Sequence, residues 1–307
     1  MSDLTLDPSA LEAYLPHRGA NLLADSVTMS ADRKSAVSRT RVGTADPRGR
    51  GIFARRDGAG RSCWSEPFLA ELMALTGVPL LHEELSQAGQ VAVFSMISKI
   101  SYAFLPGLDD EVVGHATIVR QRSGFSQYAT RAECGGRTIL EAEVMSGAAT
   151  FADIMSAPVR PLSSDSGTPV DAGLFAWKDR SVRFVDRIVS QDAAAGRVVC
   201  SYTYPADHPF VPGHFPGAPL MMGVTQWSAA ADAAWVARRQ FGIAGPVVAQ
   251  CKITREGGAE ILDVRDLVLT LDGDTPFISQ TKRLAFREPV RPGDGILIEA
   301  SVRPFVG

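Results

Sequence analysis

Apolar positions along the chain follow one pattern that occurs twice. Over 65–77, Phe68, Leu72 and Leu75 recur at i, i+4 and i+7, the stripe of a helix buried along one side. Ser65 or Glu66 is placed to cap it, Pro67 suits its first turn, and Gly77 lies near its end. Strand-like segments follow at 91–102, 111–121, 127–133 and 138–151, with Pro106-Gly107 and Gly135-Gly136 marking turns. Upstream, 15–27 reads as a short helix entering a strand, and 36–42 as a second strand. The Gly- and Arg-rich stretch 43–63 is expected to be a mobile loop.

A Ser-, Pro- and Gly-rich stretch, 156–169, interrupts this order. Beyond it the pattern restarts. Residues 182–189 can be laid on 21–28 with Asp186 on Asp25, and laying the two long helices together puts Glu71 on Ser228. The offsets, 186 − 25 = 161 and 228 − 71 = 157, agree within a small deletion. Strands are expected at 198–204, 247–254, 259–271, 276–286 and 295–304. A repeat of domain length predicts an α+β chain with units at 1–155 and 174–307 and a linker at 156–173. Each unit should be a curved antiparallel sheet around one long helix, near 65–79 and 221–240, with the sheets joined edge to edge.

Before the second helix, His208 to Gly223 holds four prolines and three glycines, a stiff, irregular loop carrying His208 and His214. The Ala-rich run 224–235 contains no Gly or Pro, so Gly223 stands where a helix begins. Free N–H groups at a helix start polarise a carbonyl oxygen. An imidazole beside them suits proton removal next to a thioester; the bland alternative is a Pro-rich connector with a solvated histidine. Glu71 interrupts a mostly apolar helix, where desolvation raises a carboxyl pKa and favours the protonated form. Lys+Arg of 31 against Asp+Glu of 34 gives −3, so neither nucleic acid nor an anionic membrane is an expected partner. There is no membrane-length apolar run and no signal-peptide core, and Cys63, Cys134, Cys200 and Cys251 form no C-x-x-C pair. A cytoplasmic, reduced protein without a zinc site is expected.

The string GHFPGAPLMMGV at 213–224 resembles the signature of the FabA/FabZ-type 3-hydroxyacyl-ACP dehydratases, and LPHR with its following Leu-Leu-x-Asp is also how many of them begin. The resemblance implies the hotdog fold, here in tandem. It implies a lyase that removes water from a 3-hydroxyacyl thioester of acyl carrier protein or CoA, leaving a 2-enoyl thioester. It implies no metal or redox cofactor, the substrate being carried on phosphopantetheine. By the same likeness His214 matches the catalytic base and Gly223 the residue whose N–H binds the thioester carbonyl. The family's acid lies 14 positions after the base, at 214 + 14 = 228, where this chain has Ser228. A serine hydroxyl cannot donate a proton as a carboxylic acid does.

Paired hotdogs of that family build each site from the His of one and the acid of the other. Here the second unit keeps His214 and Gly223, while the first keeps Glu71 and has no loop histidine. One composite His214/Glu71 site per chain is implied. Asp232, one turn after Ser228, is a weaker substitute, because four residues of helix rise roughly 6 Å. His17 reads as structural and His208 as a loop fastener. Met221, Met222 and Trp227 are candidates to line an acyl tunnel, although such residues are more often core. Arg48, Arg50, Arg55, Arg56, Arg238 and Arg239 are candidates for a carrier-binding patch. Sheet edges offer homo- or hetero-oligomers. Two rival functions use the same residues: a hotdog thioesterase in which Glu71 directs water, and a non-catalytic hotdog that binds acyl chains or supports a partner. The stretch 286–302 resembles the family's mid-sheet turn, after which two more strands are expected. Either 243–274 supplies them or the second sheet is short.

Overall fold

The computed structural model describes residues 2–43, 45–49, 52–122 and 124–306. The first half runs β1 (Leu4–Leu6), α1 (Pro8–Tyr14), β2 (Ser26–Met29), β3 (Ser35–Arg41), β4 (Ala54–Arg56), β5 (Ser62–Trp64), α2 (Glu66–Gly77), α3 (His82–Gln87), then β6 (Val91–Tyr102), β7 (Glu111–Arg122), β8 (Phe125–Cys134), β9 (Arg137–Ala149) and α4 (Phe151–Ser156). The second runs β10 (Thr168–Pro169), β11 (Arg187–Asp192), β12 (Arg197–Thr203), α5 (Gly223–Gln240), β13 (Val247–Thr254), β14 (Glu260–Asp272), β15 (Thr275–Thr281), β16 (Arg283–Phe286) and β17 (Gly295–Pro304). Both long helices pack on the concave side of an antiparallel sheet, which is the hotdog arrangement, twice. The two sheets are continuous: β6 pairs with β15 and β16 through Ser101↔Gln280, Ile100↔Thr281, Ile97↔Leu284 and Met96↔Ala285.

The repeat is visible atom by atom at its start. The Asp25 N–H donates to the Arg39 carbonyl and its carboxylate accepts the Arg41 N–H at 2.7 Å. Asp186 repeats this with the Ser201 carbonyl and, at 3.3 Å, the Thr203 N–H. In both halves the aspartate fixes the entry into the first hairpin by satisfying an edge N–H.

Strand order departs from the repeat. In the first half the sheet reads β2-β3-β7-β8-β9-β6, and in the second β11-β12-β17-β13-β14 with β15 and β16 at the junction. So β15–β16 stands where β6 does and β17 where β7 does, while β13 and β14 take the places of β8 and β9. The second unit therefore makes its two inner strands, β13 and β14, directly after the helix and its junction strand later. Residues 243–274 supply the strands that seemed missing, and the second sheet is not short. The expected single strand at 276–286 is broken at Lys282, whose N–H turns to the Arg265 carbonyl.

The expected mobile loop at 43–63 is also corrected. Its described part holds a hairpin in which β4 and β5 pair Ala54↔Trp64 and Arg56↔Ser62. Asp57 closes the turn by accepting the Ala59 and Arg61 N–H groups at 3.0 and 2.8 Å, and Phe53 and Trp64 are buried. The Gly and Arg content hid strands of three residues. Among the described residues no helix is long and apolar enough to cross a membrane, and all four cysteines are free.

One hydrophobic core spans both halves. The rings of Phe53 and Phe68 from the first half meet Phe210 of the second at 5.4 and 5.5 Å. The N-terminal segment docks on the Pro-rich loop: the Arg18 N–H donates to the Gly213 carbonyl at 3.0 Å and Asn21 Nδ2 to the Phe210 carbonyl at 3.1 Å. At Gly213 the loop is met by both the Asn21 side chain and the Arg18 backbone. A Cβ at Gly213 would stand 2.3 Å from the Arg18 carbonyl oxygen, which no side-chain adjustment relieves. Gly213→Ala is expected to cost about 1–3 kcal/mol, read as a lower denaturation midpoint. An unchanged midpoint would mean the docking contributes nothing to stability.

Candidate active site

Glu71 lies on the second turn of α2, on a stretch whose side chains are nearly all buried. His214 is presented by the loop before α5, and that loop is held at several points. His208 Nε2 bonds the Ser181 carbonyl at 2.7 Å while its Nδ1 accepts the Phe210 N–H at 3.3 Å, so His208 fastens the loop. The Leu220 N–H donates to the His214 carbonyl, and the Met221 N–H to the Val290 carbonyl, each at 2.8 Å. His214 Nδ1 lies 3.1 Å from the Leu220 carbonyl, which can only accept, so Nδ1 carries the proton and Nε2 keeps its lone pair.

The fold brings Glu71 and His214 together, with His17 as a third member. Among the described residues, one nitrogen of each imidazole and one Glu71 oxygen all lie within 4.8 Å of one another. His17 Nε2 is 3.3 Å from Glu71 Oε1, and its ring stands edge-on to those of His214 and Phe215, 5.0 Å between centroids in each case. The structural role expected for His17 is thus too narrow: docking of residues 18–21 on the Pro-rich loop carries its imidazole into the site. Two imidazoles and a carboxylate at this spacing are also a donor set that could hold a divalent metal ion.

Burial sets the charge state of all three. It lowers the pKa of His17 to about 3, helped by the Arg18 charge, and that of His214 to about 4. Burial raises the Glu71 carboxyl, and proximity to His214 offsets this in part. Near neutral pH both imidazoles are therefore neutral. Glu71 Oε2 is buried without a hydrogen-bond partner among the described residues, and is free to meet a ligand.

These groups open on an apolar cavity of about 590 Å³ whose wall includes Met221, Gly223, Gln226, Phe94 and Phe286. Gly223 is the first residue of α5, so its N–H has no intrahelical acceptor. Any side chain there would crowd the wall: a Cβ would stand 3.0 Å from the Phe286 ring and 3.3 Å from that of Phe94. Of the expected tunnel residues only Met221 reaches the wall. Met222 and Trp227 point the other way into the core, Trp227 stacking on Tyr102 at 6.3 Å. Gln226, one residue earlier, takes the lining position; its signal was only its place on the first turn of α5.

The pseudo-equivalent place is closed. Ser228 and Asp232 border a different cavity, of about 20 Å³. There Glu66 takes the helix-start position that Gly223 has in α5, and its carboxylate is bound at 2.6 Å by Arg55 and at 3.0 Å by the Ile278 N–H. Asp232 is paired with Lys178 and accepts the Phe184 N–H at 2.9 Å. Asp232 is thus committed elsewhere and does not stand in as an acid for His214. The arginine patch is corrected too. Arg55 and Arg238 are buried, Arg238 bonding the Ala244 and Gly245 carbonyls, and Arg48 is clamped by Asp25 and Asp46. Arg56 and Arg239 are exposed, and Arg50 lies outside the described residues.

No family model matches the chain. It is 32% identical over 116 residues to the 3-hydroxyacyl-[acyl-carrier-protein] dehydratase FabZ of Chlamydia trachomatis serovar L2, and equally to that of serovar D. The match takes in 38% of this chain and spans 60% of the length of those relatives. Among solved structures, the dehydratase heterocomplex ApeI:P of Xenorhabdus doucetiae aligns with a TM-score of 0.38 at 11% identity, covering 48% of this chain and 95% of that one. The PaaI protein of E. coli aligns with a TM-score of 0.29 at 17% identity, covering 39% and 79%.

The buried neutral histidines predict a pH dependence of stability. Their folded values, about 3 and about 4, lie below the ordinary 6.5, so in acid the unfolded chain takes up protons first. The stability they contribute is present above pH 6.5 and is lost as pH falls, through about 4 for His214 and about 3 for His17. The doubly substituted His17→Gln, His214→Gln protein should show a shallower fall in Tm over that window than the parent. An equally steep fall would contradict burial of the two rings in neutral form.

Proposed function

We propose that this relative of the FabA/FabZ-type dehydratases is itself a dehydratase acting on 3-hydroxyacyl thioesters, with one composite site per chain. The observation that carries the reading is the meeting of Glu71 from the first half with His214 from the second, beside the Gly223 N–H and on one apolar cavity. Elimination of water needs a base at C2, a proton donor at the 3-hydroxyl and stabilisation of charge on the carbonyl oxygen. In the proposal, His214 Nε2 removes the C2 proton. The C–H electron pair forms the C2=C3 double bond, and the 3-hydroxyl leaves as water with the proton of Glu71. The Gly223 N–H, at the positive end of α5, donates to the thioester oxygen and stabilises the negative charge that builds there. His17 lines the same cavity, with its Nε2 3.3 Å from Glu71 Oε1. No step calls for a metal or a redox cofactor, and the acyl group would arrive on the phosphopantetheine of an acyl carrier protein or CoA.

The productive state, neutral His214 with protonated Glu71, is what burial favours in each group. Activity should therefore fall as His214 is protonated near its folded value of about 4, and again as pH rises through the raised pKa of Glu71.

Incubation with a 3-hydroxyacyl thioester should yield the enoyl thioester. Release of free thiol would favour the thioesterase, and an unchanged substrate would favour the non-catalytic hotdog. His214→Ala and Glu71→Gln should each lower the rate by roughly 10²–10⁴. Ser228→Glu should not restore activity to the Glu71→Gln protein, because residue 228 borders the closed cavity. Rescue by Ser228→Glu, or normal turnover by Glu71→Gln, would sink the shared site.

A further inference from the structure

Past Glu71 the cavity continues along α2 toward Gly77, over 77 − 71 = 6 residues that rise about 9 Å. The wall at this end is largely apolar, with Met73, Leu75, Val78 and Val144, and carries the hydroxyls of Ser95, Thr130, Tyr128 and Ser146, of which Thr130 already donates to the Ala142 carbonyl at 3.1 Å. Tyr128 on β8 and Ser146 on β9 both point inward, 3% and 6% exposed, and both line the cavity. The Tyr128 ring fits against Gly77, where a Cβ would stand 3.1 Å from it, so the phenol is carried on a fixed ring. Burial raises the pKa of that phenol, and the hydroxyls of Ser146 and Ser126 alongside offset part of the rise. Even so, neither the Tyr128 hydroxyl nor Ser146 Oγ has an aligned hydrogen-bond partner among the described residues. The cavity wall also carries Asp153, Arg287 and Glu288, polar groups that suit a carrier arm.

Buried polar groups without partners are costly, and they discriminate strongly for ligands that pair with them. A plain alkyl chain leaves the two hydroxyls only each other and Ser126 to pair with, at poor alignment. We propose that the substrate is a medium-length acyl chain with a hydrogen-bonding oxygen near its far end, received by Tyr128 and Ser146. The proposal rests on the acyl-thioester reading of the site. A hydroxyl both donates and accepts, so the pair can meet a terminal hydroxyl or a carbonyl equally.

The test compares a 3-hydroxydecanoyl thioester with its ω-hydroxylated counterpart on the full-length protein. The parent should favour the ω-hydroxylated substrate in kcat/KM by roughly tenfold, the worth of one or two such hydrogen bonds. Tyr128→Phe, which keeps the ring against Gly77, and Ser146→Ala should each shrink that ratio. Binding of the same two thioesters to the Glu71→Gln protein, read by calorimetry, should show the same preference without turnover. Equal kcat/KM for the two substrates in the parent, or a ratio unmoved by both substitutions, would overturn the proposal. If neither substrate is dehydrated but the binding preference persists, the dehydratase reading fails and the tunnel assignment stands. Equal binding would remove the tunnel assignment whatever the chemistry.

Discussion

The site depends on an antiparallel junction inside one chain. Four residue pairs between β6 and β15–β16 join the sheets, and they set α2 and α5 side by side. Those pairs alone are a short ladder. The junction is secured by the core that crosses it: Phe53, Phe68 and Phe210 form one aromatic cluster, and Tyr102 stacks on Trp227 while its hydroxyl donates to the Glu66 carbonyl at 2.6 Å. A displacement of one half against the other would expose this surface, at roughly 25 cal/mol per Å² of apolar area. The separation of Glu71 from His214 is thus fixed by burial far larger than the site itself.

Fusing two hotdogs into one chain removes the need for the two cavities to stay alike. One has kept an open apolar wall, a glycine at the helix start and a neutral histidine. In the other, Glu66 stands at the helix start, with its carboxylate bound by Arg55 and the Ile278 N–H. Burying that carboxylate is tolerable only with a partner, which Arg55 supplies. Lys178 and Asp232 add a second buried pair. The closed cavity is therefore held by charge pairing and the open one lined by apolar groups. Among the described residues the two halves thus differ, one cavity of about 590 Å³ standing against one of about 20 Å³.

Much of this was readable in the sequence. The apolar stripe at Phe68, Leu72 and Leu75 placed α2 almost to the residue, and the Ala-rich run after Gly223 placed α5. The match of Asp186 to Asp25 reported the repeat because both carboxylates do the same backbone work. Strand order was not readable: alternation marks where strands lie and is silent about their neighbours, so the exchanged order of β13–β17 had to come from the fold. His17 was missed as a site member because its approach to His214, 214 − 17 = 197 positions away, depends on docking of Arg18 and Asn21 on the Pro-rich loop. Trp227 was misplaced by one step on its helix, where a single residue is a rotation of about 100°.

Both halves of the chain build one open cavity, and the pseudo-equivalent one is closed. The most direct test of a single site is the stoichiometry of binding of a non-hydrolysable 3-hydroxyacyl thioester analogue, measured by isothermal titration calorimetry on the full-length protein. One analogue should bind per chain, with affinity lost in Gly223→Val, whose side chain would enter the wall formed by Phe94 and Phe286. Binding of two per chain, or binding that survives Gly223→Val unchanged, would contradict a single site.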